Sequence, residues 1–363
     1  MNKFFPEIKK NFGFGCMRLP TQGEEIDEAA FCAMIDTFLA AGFNYFDTAR
    51  PYHWLRSEKA LKTCLADRYE RSKFLLADKL SPNFFEKEED IRPLIEDQLK
   101  TCGVEYFDFY LIHANSAERH KKYSGARAYD ILQQMKAEGK LRHVGMSFHD
   151  SAEVLDQILT ERPELEFVQL QFNYVDYNDP KVQSHLCYEV CRKHGKPVFV
   201  MEPVKGGSLV NLPQAALDLL PGGSPASYAI RYAAGFEDIV MVLSGMSNME
   251  QMEDNLSYMT DFQPLTDDEH KTTDQVRTLY QAQHKIPCTA CRYCVDGCPA
   301  GIPIPEIFAL MNKERGGEEV EDGAYAVFSA TGKDCVDCGQ CENACPQSLH
   351  IRDLLKEVDK AFG

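Results

Sequence analysis

Apolar runs of strand length alternate with segments of helical apolar spacing through the first 260 residues. In the first helical segment, apolar residues between Phe31 and Leu39 recur on one face, and Gly42 follows as a stop signal. The pattern predicts strands at 11–19, 43–48, 74–80, 107–113, 141–148, 167–174, 197–203 and 238–246. It predicts helices between them at 27–41, 56–67, 87–102, 125–139, 151–162, 181–194, 224–235 and 248–259.

Eight strand–helix units in about 250 residues have the size and rhythm of a (β/α)8 barrel. A doubly wound open sheet is the competing α/β architecture. Such a sheet predicts a G-x-G-x-x-G fingerprint after an early strand, and the sequence contains none there. We therefore predict an α/β fold with a TIM barrel, whose candidate site residues are those that end the strands.

Ionisable side chains end three consecutive predicted strands. Asp47 ends the second strand, Lys79 the third and His113 the fourth, and Tyr52 follows Asp47 on a short loop. A buried strand that delivers a carboxylate and then a phenol to one rim suits proton transfer. Taken singly, the same residues have structural interpretations as a loop tyrosine, a core histidine and an ion pair. Their convergence on one rim favours a catalytic set.

The chain resembles the aldo-keto reductase family in short motifs that occur in family order and at family spacing. They are Asp47-Thr48-Ala49-x-x-Tyr52 with Ser57-Glu58, Leu76-Ala77-Asp78-Lys79, Asp108-x-Tyr110-Leu111-Ile112-His113, Gly145-x-Ser147, Gln169-x-x-Phe172-Asn173 and Pro203-x-x-Gly206-Gly207-x-Leu209. The resemblance implies NAD(P)H-dependent reduction of a carbonyl compound, or the reverse oxidation of an alcohol. A small-molecule carbonyl or alcohol is the expected substrate.

The resemblance assigns a role to each residue of the catalytic set. Tyr52 would be the general acid that protonates the carbonyl oxygen. A free phenol has a pKa of about 10, and the ammonium of Lys79 would lower it. Asp47 would hold Lys79 in place, and His113 would orient the carbonyl oxygen through a hydrogen bond.

Residues beyond Tyr52 are the predicted walls of the substrate pocket. His53 and Trp54 follow it directly, and Trp54 also has the simpler interpretation of an aromatic residue packed on the rim. Long loops are expected at 114–124 and after Glu202. Their shape, which sets specificity, is not readable from the sequence.

Residues at the ends of later strands match positions that bind the nicotinamide end of the cofactor in the family. Ser147 and Gln169 match residues that hydrogen-bond the carboxamide. Met201 stands where a tyrosine usually stacks on the ring, and Glu202 follows it. Methionine is polarizable and could still cover a ring. We expect these four residues to contact the cofactor.

The phosphate and adenosine end of the cofactor has its own candidates. Gly206 and Gly207 could let backbone N–H groups approach the pyrophosphate. The stretch 244–255 matches the nucleotide-binding segment, with candidates Ser244, Gly245, Met246, Asp254 and Asn255. It contains no Lys or Arg for a 2′-phosphate. The prediction is therefore NAD(H) in preference to NADP(H).

Eight of the fourteen cysteines form two copies of a C-x2-C-x2-C-x3-C-P run. This is the ligand run of bacterial ferredoxins, in which the fourth cysteine binds the other cluster. The prediction is two [4Fe–4S] clusters in a small, mainly helical ferredoxin-like domain. One cluster takes Cys288, Cys291, Cys294 and Cys345, and the other takes Cys335, Cys338, Cys341 and Cys298. Zinc is the alternative for C-x2-C pairs.

The predicted domains are a barrel at 1–262, a linking helix at 263–286 and an iron–sulfur domain at 287–363. The net charge of −17 argues against a nucleic acid or an anionic membrane as partner. No apolar run is long enough to span a bilayer, and no export signal is visible, so we expect a cytoplasmic protein.

The iron–sulfur domain leaves three functional interpretations open. The clusters relay electrons to or from the rim, with a possible redox partner protein; they are purely structural on a carbonyl reductase; or the chain is an electron carrier or redox sensor without turnover. A hydride carries two electrons and a cluster accepts one. A flavin could convert between them, but no flavin motif is present. The complete catalytic set argues against the third interpretation.

Overall fold

The computed structural model describes residues 3–220 and 222–363. Within them, eight parallel strands close into a barrel. The strands are β1 (Phe12–Gly15), β4 (Tyr45–Asp47), β5 (Leu75–Leu80), β6 (Phe107–Asn115), β7 (Leu141–Phe148), β8 (Val168–Gln171), β9 (Val198–Met201) and β10 (Ile239–Gly245). Their order around the barrel is β1-β10-β9-β8-β7-β6-β5-β4. A small hairpin, β2 (Thr21–Gln22) and β3 (Glu25–Ile26), follows β1. The predicted barrel is confirmed.

Helices alternate with the barrel strands and continue through the region that contains the two cysteine runs. They are α1 (Glu28–Ala40), α2 (Ser57–Leu61), α3 (Glu88–Cys102), α4 (Ala117–Gly125), α5 (Ala128–Ala137), α6 (Ala152–Glu161), α7 (Ser184–Lys193), α8 (Gln214–Leu217), α9 (Pro225–Ala234), α10 (Met249–Met259), α11 (Asp267–Gln281), α12 (Tyr293–Asp296), α13 (Ile304–Arg315), α14 (Gln340–Ala344) and α15 (Ile351–Phe362). None of the described helices is long and apolar enough to cross a membrane.

The prediction of a long loop at 114–124 is wrong. Strand β6 runs on to Asn115, and α4 begins two residues later with the side chain of Ser116 capping the backbone N–H of Arg119. The polar sequence of α4 hides its helical pattern, because little more than His120 and Tyr123 face the interior.

The helix predicted at 56–67 divides into α2 and a π-helical turn, Lys62–Ala66. Cys64 in that turn forms a disulfide with Cys32 of α1, with their Cα atoms 4.8 Å apart. The two cysteines are 32 residues apart in the chain, and their spacing gave no sign of the pairing.

Aromatic side chains fill the barrel interior toward its amino-terminal end. Phe5 enters from the segment before β1, and its ring centroid lies 5.1 Å from that of Phe109. The ring centroids of Phe167 and Phe199 lie 4.5 Å apart. Gly145 makes room for this cluster, because a Cβ there would lie 2.6 Å from Phe167. The amino end of the barrel is therefore packed core, and polar residues are left for the carboxyl end.

The chain divides into two compact units. The barrel unit comprises Met1–Asp179, Gln183–Pro203 and Ala226–Leu265. The cysteine unit comprises Thr266–Gly363 together with Pro180–Val182 and Val204–Pro225. It has its own apolar core, to which Ile304, Phe308 and Leu355 belong. The predicted boundaries at 262 and 286 stay predictions.

Candidate functional site

Three neighbouring barrel strands carry Asp47, Lys79 and His113 to one rim. Strand β4 pairs in parallel with β5, and β5 pairs in parallel with β6, so their carboxyl ends lie together. The ammonium of Lys79 donates to Oδ1 of Asp47 at 2.5 Å, to the carbonyl oxygen of Thr48 at 2.7 Å and to the hydroxyl of Tyr52 at 3.3 Å. Three of the four predicted catalytic residues, Asp47, Lys79 and Tyr52, therefore form one continuous group.

The ion pair at the centre of this group is buried. Lys79 and Asp47 are 1% and 4% exposed. Burial raises the pKa of the Asp47 carboxyl above its usual value, while the charge and hydrogen bond of Lys79 and the amide of Gln169 act in the opposite direction. All three hydrogens of the Lys79 ammonium have acceptors, which fixes its position beside the phenol.

The loop that carries Tyr52 has an unusual backbone. His53, Trp54 and Leu55 all have positive φ, between 50° and 70°, and side chains adopt that region at a cost in energy. The ring of His53 accepts a hydrogen bond from the backbone N–H of Leu19 at 2.9 Å, which ties this loop to the loop after β1. Trp54 remains 57% exposed.

His113 lies beside Tyr52 with its ring held edge-on. The two ring centroids are 6.2 Å apart at an interplanar angle of 82°. Burial lowers the pKa of the His113 imidazole well below its usual value, and the nearby Lys79, His149 and Arg119 add to this effect. A neutral His113 can donate one ring hydrogen to an acceptor at the rim.

The two residues matched to the carboxamide of nicotinamide have partners within the barrel. The hydroxyl of Ser147 accepts the backbone N–H of Ala114 at 2.7 Å, directly after His113. Gln169 faces Asp47, as its effect on the pKa of that carboxyl indicates. Both side chains are buried. Through these contacts with Ala114 and Asp47, they connect the candidate cofactor positions to the catalytic group.

At the end of β10, two of the predicted nucleotide residues are joined. The side-chain amide of Asn255 donates to the hydroxyl of Ser244 at 2.8 Å. The side chain of Arg18, from the loop after β1, lies against Gly245, where an added Cβ would be 3.3 to 3.5 Å from its carbon atoms. The hydroxyl of Ser247 donates to the carbonyl oxygen of Arg18 at 2.9 Å. The stretch 244–255, which contains no Lys or Arg, therefore has the Arg18 side chain of a distant loop as its neighbour.

The other predicted cofactor residues are spread over several elements. Met201 ends β9 in register with Gln171, and Glu202 follows with a positive φ of 57°. Met246 is buried after β10, and Asp254 lies on α10. Gly206 and Gly207 belong to the cysteine unit, in the 3₁₀ turn Lys205–Gly207.

Gly206 is pressed against the first cysteine run. A Cβ at this position would lie 2.7 Å from both the Cβ and the carbonyl oxygen of Thr289. Gly207 has a φ of 97° and open space around it. The glycine at 206 is therefore required by close packing within the cysteine unit.

The eight motif cysteines line two cavities of the cysteine unit. One cavity is lined by Cys288, Cys291, Cys294 and Cys345. The other is lined by Cys298, Cys335, Cys338 and Cys341. Each cavity thus has three cysteines from one run and the last cysteine of the other. Within the described residues, no group of three or more His, Cys, Asp or Glu side chains is arranged to hold a single metal ion.

The two runs repeat the same backbone conformation at an offset of 47 residues, from Cys288 to Cys335. Positive φ angles occur at the paired positions Ala290 and Asp337, Arg292 and Gly339, and Gly301 and Ser348. The helices that follow also correspond, since α13 begins at Ile304 and α15 begins at Ile351. The repeat in sequence is therefore a repeat in structure, and four of these six positions hold a non-glycine residue at positive φ.

The thiols fit an iron–sulfur group chemically. Burial raises the pKa of the Cys294 thiol, and the neighbouring Cys291, Cys288 and Cys345 raise it further. Burial also raises the pKa of Cys341 to about 11. Such packed thiols hold their protons when free, and metal ligation replaces those protons. Apolar residues such as Ile304 and Phe308 complete the cavity walls.

Comparison with known proteins identifies the barrel. The sequence model of the aldo/keto reductase family matches residues 11–278. The chain belongs to the aldo/keto reductase family. It is therefore an NAD(P)H-dependent oxidoreductase. A second match, to the 4Fe-4S dicluster domain, covers residues 287–349 and includes all eight motif cysteines.

Curated relatives of this aldo/keto reductase are distant. The NADH-specific methylglyoxal reductase of Escherichia coli is 27% identical over 218 residues, 53% of this chain and 62% of the relative. The L-galactose dehydrogenase of Arabidopsis thaliana is 26% identical over 294 residues, 74% of this chain and 90% of the relative. These identities establish relationship without establishing a substrate.

Solved structures share the fold. An aldo-keto reductase of Bacillus halodurans superimposes with a TM-score of 0.61 at 23% identity, covering 74% of this chain and 92% of the other. An aldo-keto reductase of Klebsiella pneumoniae in complex with NADPH superimposes with a TM-score of 0.60 at 17% identity, covering 74% of this chain and 90% of the other. At these identities the likeness shows the barrel fold alone.

Sequence reasoning missed two residues of the rim. Arg18 and Ser81 contact predicted site residues, Gly245 and His113 respectively, yet both lie outside the family motifs. Ser81 follows Lys79 by two residues, so its place just beyond a strand end was a usable signal. Arg18 carried no such signal, since its neighbour Gly245 is more than 200 residues away in the chain.

Proposed function

We propose that this chain reduces a small carbonyl compound with NAD(P)H, with Tyr52 as the general acid. The observation that carries the proposal is the continuous contact from Asp47 through Lys79 to the Tyr52 hydroxyl. When bound, nicotinamide supplies the hydride. Tyr52 then gives its proton to the carbonyl oxygen, and the charge left on the phenol oxygen faces the Lys79 ammonium.

The remaining rim residues act by position. His113 offers a ring hydrogen to the carbonyl oxygen, and Asp47 holds the Lys79 side chain in place beside Tyr52. Ser147 and Gln169 would hold the carboxamide of the nicotinamide, and Ser244 and Asn255 would hold the nucleotide. His53 and Trp54 border the same loop as Tyr52 and would line the substrate pocket.

Replacement of Tyr52 by phenylalanine tests this proposal. General-acid catalysis contributes about 10²- to 10⁴-fold, so kcat for carbonyl reduction should fall within that range. Binding of the nucleotide, measured by quenching of the single tryptophan or by calorimetry, should persist. Tyr69→Phe is a matched control, because that hydroxyl donates to Asp36 away from the rim. Full turnover by Tyr52→Phe would remove Tyr52 as the acid.

We propose NADH as the preferred nucleotide. The stretch 244–255 has no Lys or Arg, and one relative is named an NADH-specific reductase. Arg18 beside Gly245 is the cation that could favour NADPH instead. Dissociation constants of both nucleotides should be measured for the native chain and for Arg18→Ala. At least tenfold tighter NADPH binding, lost in Arg18→Ala, would overturn the preference.

We propose that the cysteine unit holds two [4Fe–4S] clusters with crossed ligand sets. Cys288, Cys291, Cys294 and Cys345 would bind one, and Cys335, Cys338, Cys341 and Cys298 the other. Support comes from the two cavities, whose linings follow that division. Iron and acid-labile sulfide assays after anaerobic purification test the number of clusters. About four irons per chain, or zinc, would contradict it.

We propose that these clusters transfer electrons one at a time, to or from the rim or a redox partner protein. The half-exposed position of several ligands and the exposed position of Cys338 support access for a partner. Midpoint potentials measured with and without a reducible substrate provide the test. Clusters that no physiological reductant reduces would instead be structural, a role favoured by the place of Cys294 and Cys341 in the unit's core.

A further inference from the structure

Ser81 makes a hydrogen bond that its position in the chain does not predict. It is the N-cap residue of the 3₁₀ turn Pro82–Phe84, where a serine usually accepts a backbone N–H. Its side chain makes no cap. Instead, Oγ of Ser81 lies 2.6 Å from Nδ1 of His113. Both residues are buried, so water does not compete for this bond.

The direction of this hydrogen bond follows from the number of hydrogens available. A serine hydroxyl carries one hydrogen, and a neutral imidazole carries one on either ring nitrogen. Within the described residues, Nδ1 of His113 is the one hydrogen-bond partner of the Ser81 hydroxyl. If Nδ1 carried the hydrogen, the hydroxyl hydrogen would be buried without an acceptor, which is costly. Ser81 therefore donates, and the ring hydrogen lies on Nε2.

The two strand ends that carry these residues are held together. The hydroxyl of Tyr123 lies 2.8 Å from the carbonyl oxygen of Leu80 and 2.8 Å from that of His113. Ser81 follows Leu80 directly, so this bridge fixes the distance between Ser81 and the imidazole. The same imidazole stands edge-on to the ring of Tyr52.

We propose that Ser81 is a positioning residue that holds His113 in the tautomer with its hydrogen on Nε2. In that tautomer Nε2 donates a hydrogen bond toward an oxygen acceptor at the rim. With the hydrogen on Nδ1, Nε2 would present a lone pair and repel a carbonyl oxygen. The role of this tautomer in turnover rests on the proposed carbonyl reduction. A His113 ring that donates from Nε2 favours substrates whose reacting group is a hydrogen-bond acceptor.

Nitrogen NMR of the full chain labelled with ¹⁵N-histidine reads the tautomer directly, because protonated and unprotonated ring nitrogens resonate far apart. The His113 signals are assigned by their loss in His113→Gln. In the native chain, Nε2 should be protonated and Nδ1 unprotonated. Ser81→Ala should give a mixture of tautomers, and Ser81→Thr, which keeps the hydroxyl, should restore the native signals. Ser124→Ala, which removes a buried hydroxyl that has no hydrogen-bond partner in the described residues, is the control.

Kinetics add a second readout. Ser81→Ala should lower kcat for carbonyl reduction by about tenfold while the nucleotide dissociation constant stays unchanged, and Ser81→Thr should recover most of the rate. Native His113 signals in Ser81→Ala would overturn the proposal, even if that variant lost activity. Failure of the native chain to reduce any carbonyl would instead count against the proposed function, since the NMR result is independent of turnover.

Discussion

The catalytic rim and the cysteine cavities are built in opposite ways. Asp47, Lys79 and His113 come from three separate strands, and they meet because these strands pair in parallel with their carboxyl ends at one rim. The cysteines come from two short runs whose spacing and local backbone already bring three of them together. One site depends on long-range topology, and the other depends mainly on local sequence.

This difference predicts how each site responds to damage. The barrel has its own aromatic core, to which Tyr52 does not belong, so loss of the Tyr52 hydroxyl should remove chemistry and leave the fold. In the cysteine unit, Cys294 and Cys341 belong to the core itself. Ligand binding and folding should therefore be coupled there, as in other small metal-binding domains.

Replacement of Cys294 by serine should have the largest effect. Loss of one ligand should release a cluster, reducing the iron content from about eight to about four ions per chain or fewer. The cysteine unit should then become sensitive to limited proteolysis while the barrel resists it. Cys187→Ser, at a buried cysteine of the barrel, is the control and should keep its iron. Unchanged iron in Cys294→Ser would break the contrast between the two sites.

Replacement of Asp47 by asparagine should have the next largest effect. It leaves the Lys79 ammonium buried without its counter-ion, and loss of one partner of a buried pair costs about 3–5 kcal/mol. Chemical denaturation of the barrel measures this change in the free energy of unfolding. Asp130→Asn removes one partner of the exposed pair with Arg127 and should cost less than about 1 kcal/mol. A cost for Asp47→Asn as small as that expected for Asp130→Asn would show that the rim pair contributes little to the stability of the barrel.

Replacement of His143 by glutamine should have a smaller effect that depends on pH. His143 lies between Glu166 and Glu7, at 2.8 and 2.7 Å. Burial lowers its pKa, but the hydrogen bonds and charges of Glu166 and Glu7 outweigh this effect, and the net pKa is raised. Its charge should therefore stabilise the barrel fully below about pH 6.5, and this stabilisation should be lost as the pH rises through the raised value.

Denaturation of His143→Gln at several pH values measures this contribution. The variant should be less stable by about 1–3 kcal/mol at pH 6, with a difference that shrinks toward pH 9. Because His143 lies near the amino end of β7, kcat and iron content should stay unchanged. His185→Gln, at an exposed histidine 3.9 Å from Glu189, is the control. A larger loss of stability in His143→Gln at pH 9 than at pH 6 would contradict the predicted direction of the effect.

The fold followed from the sequence because apolar periodicity is a local property. Each barrel strand was predicted within a few residues of its observed position, and the family match confirms the barrel. The errors lie where periodicity is weak. Helix α4 is polar, and the π-helical turn at Lys62–Ala66 continues a helical pattern with a different hydrogen-bond spacing.

The sequence by itself determined which side chains end each strand and how the cysteines are spaced. Tertiary structure decided the contacts between distant segments, such as Arg18 with Gly245 and Cys32 with Cys64. It also decided that the Ser81 hydroxyl faces His113 and does not cap its own turn. The physical reason is that spacing constrains neighbours along the chain, whereas the partner of a hydroxyl or a guanidinium depends on which strands become adjacent when the barrel closes.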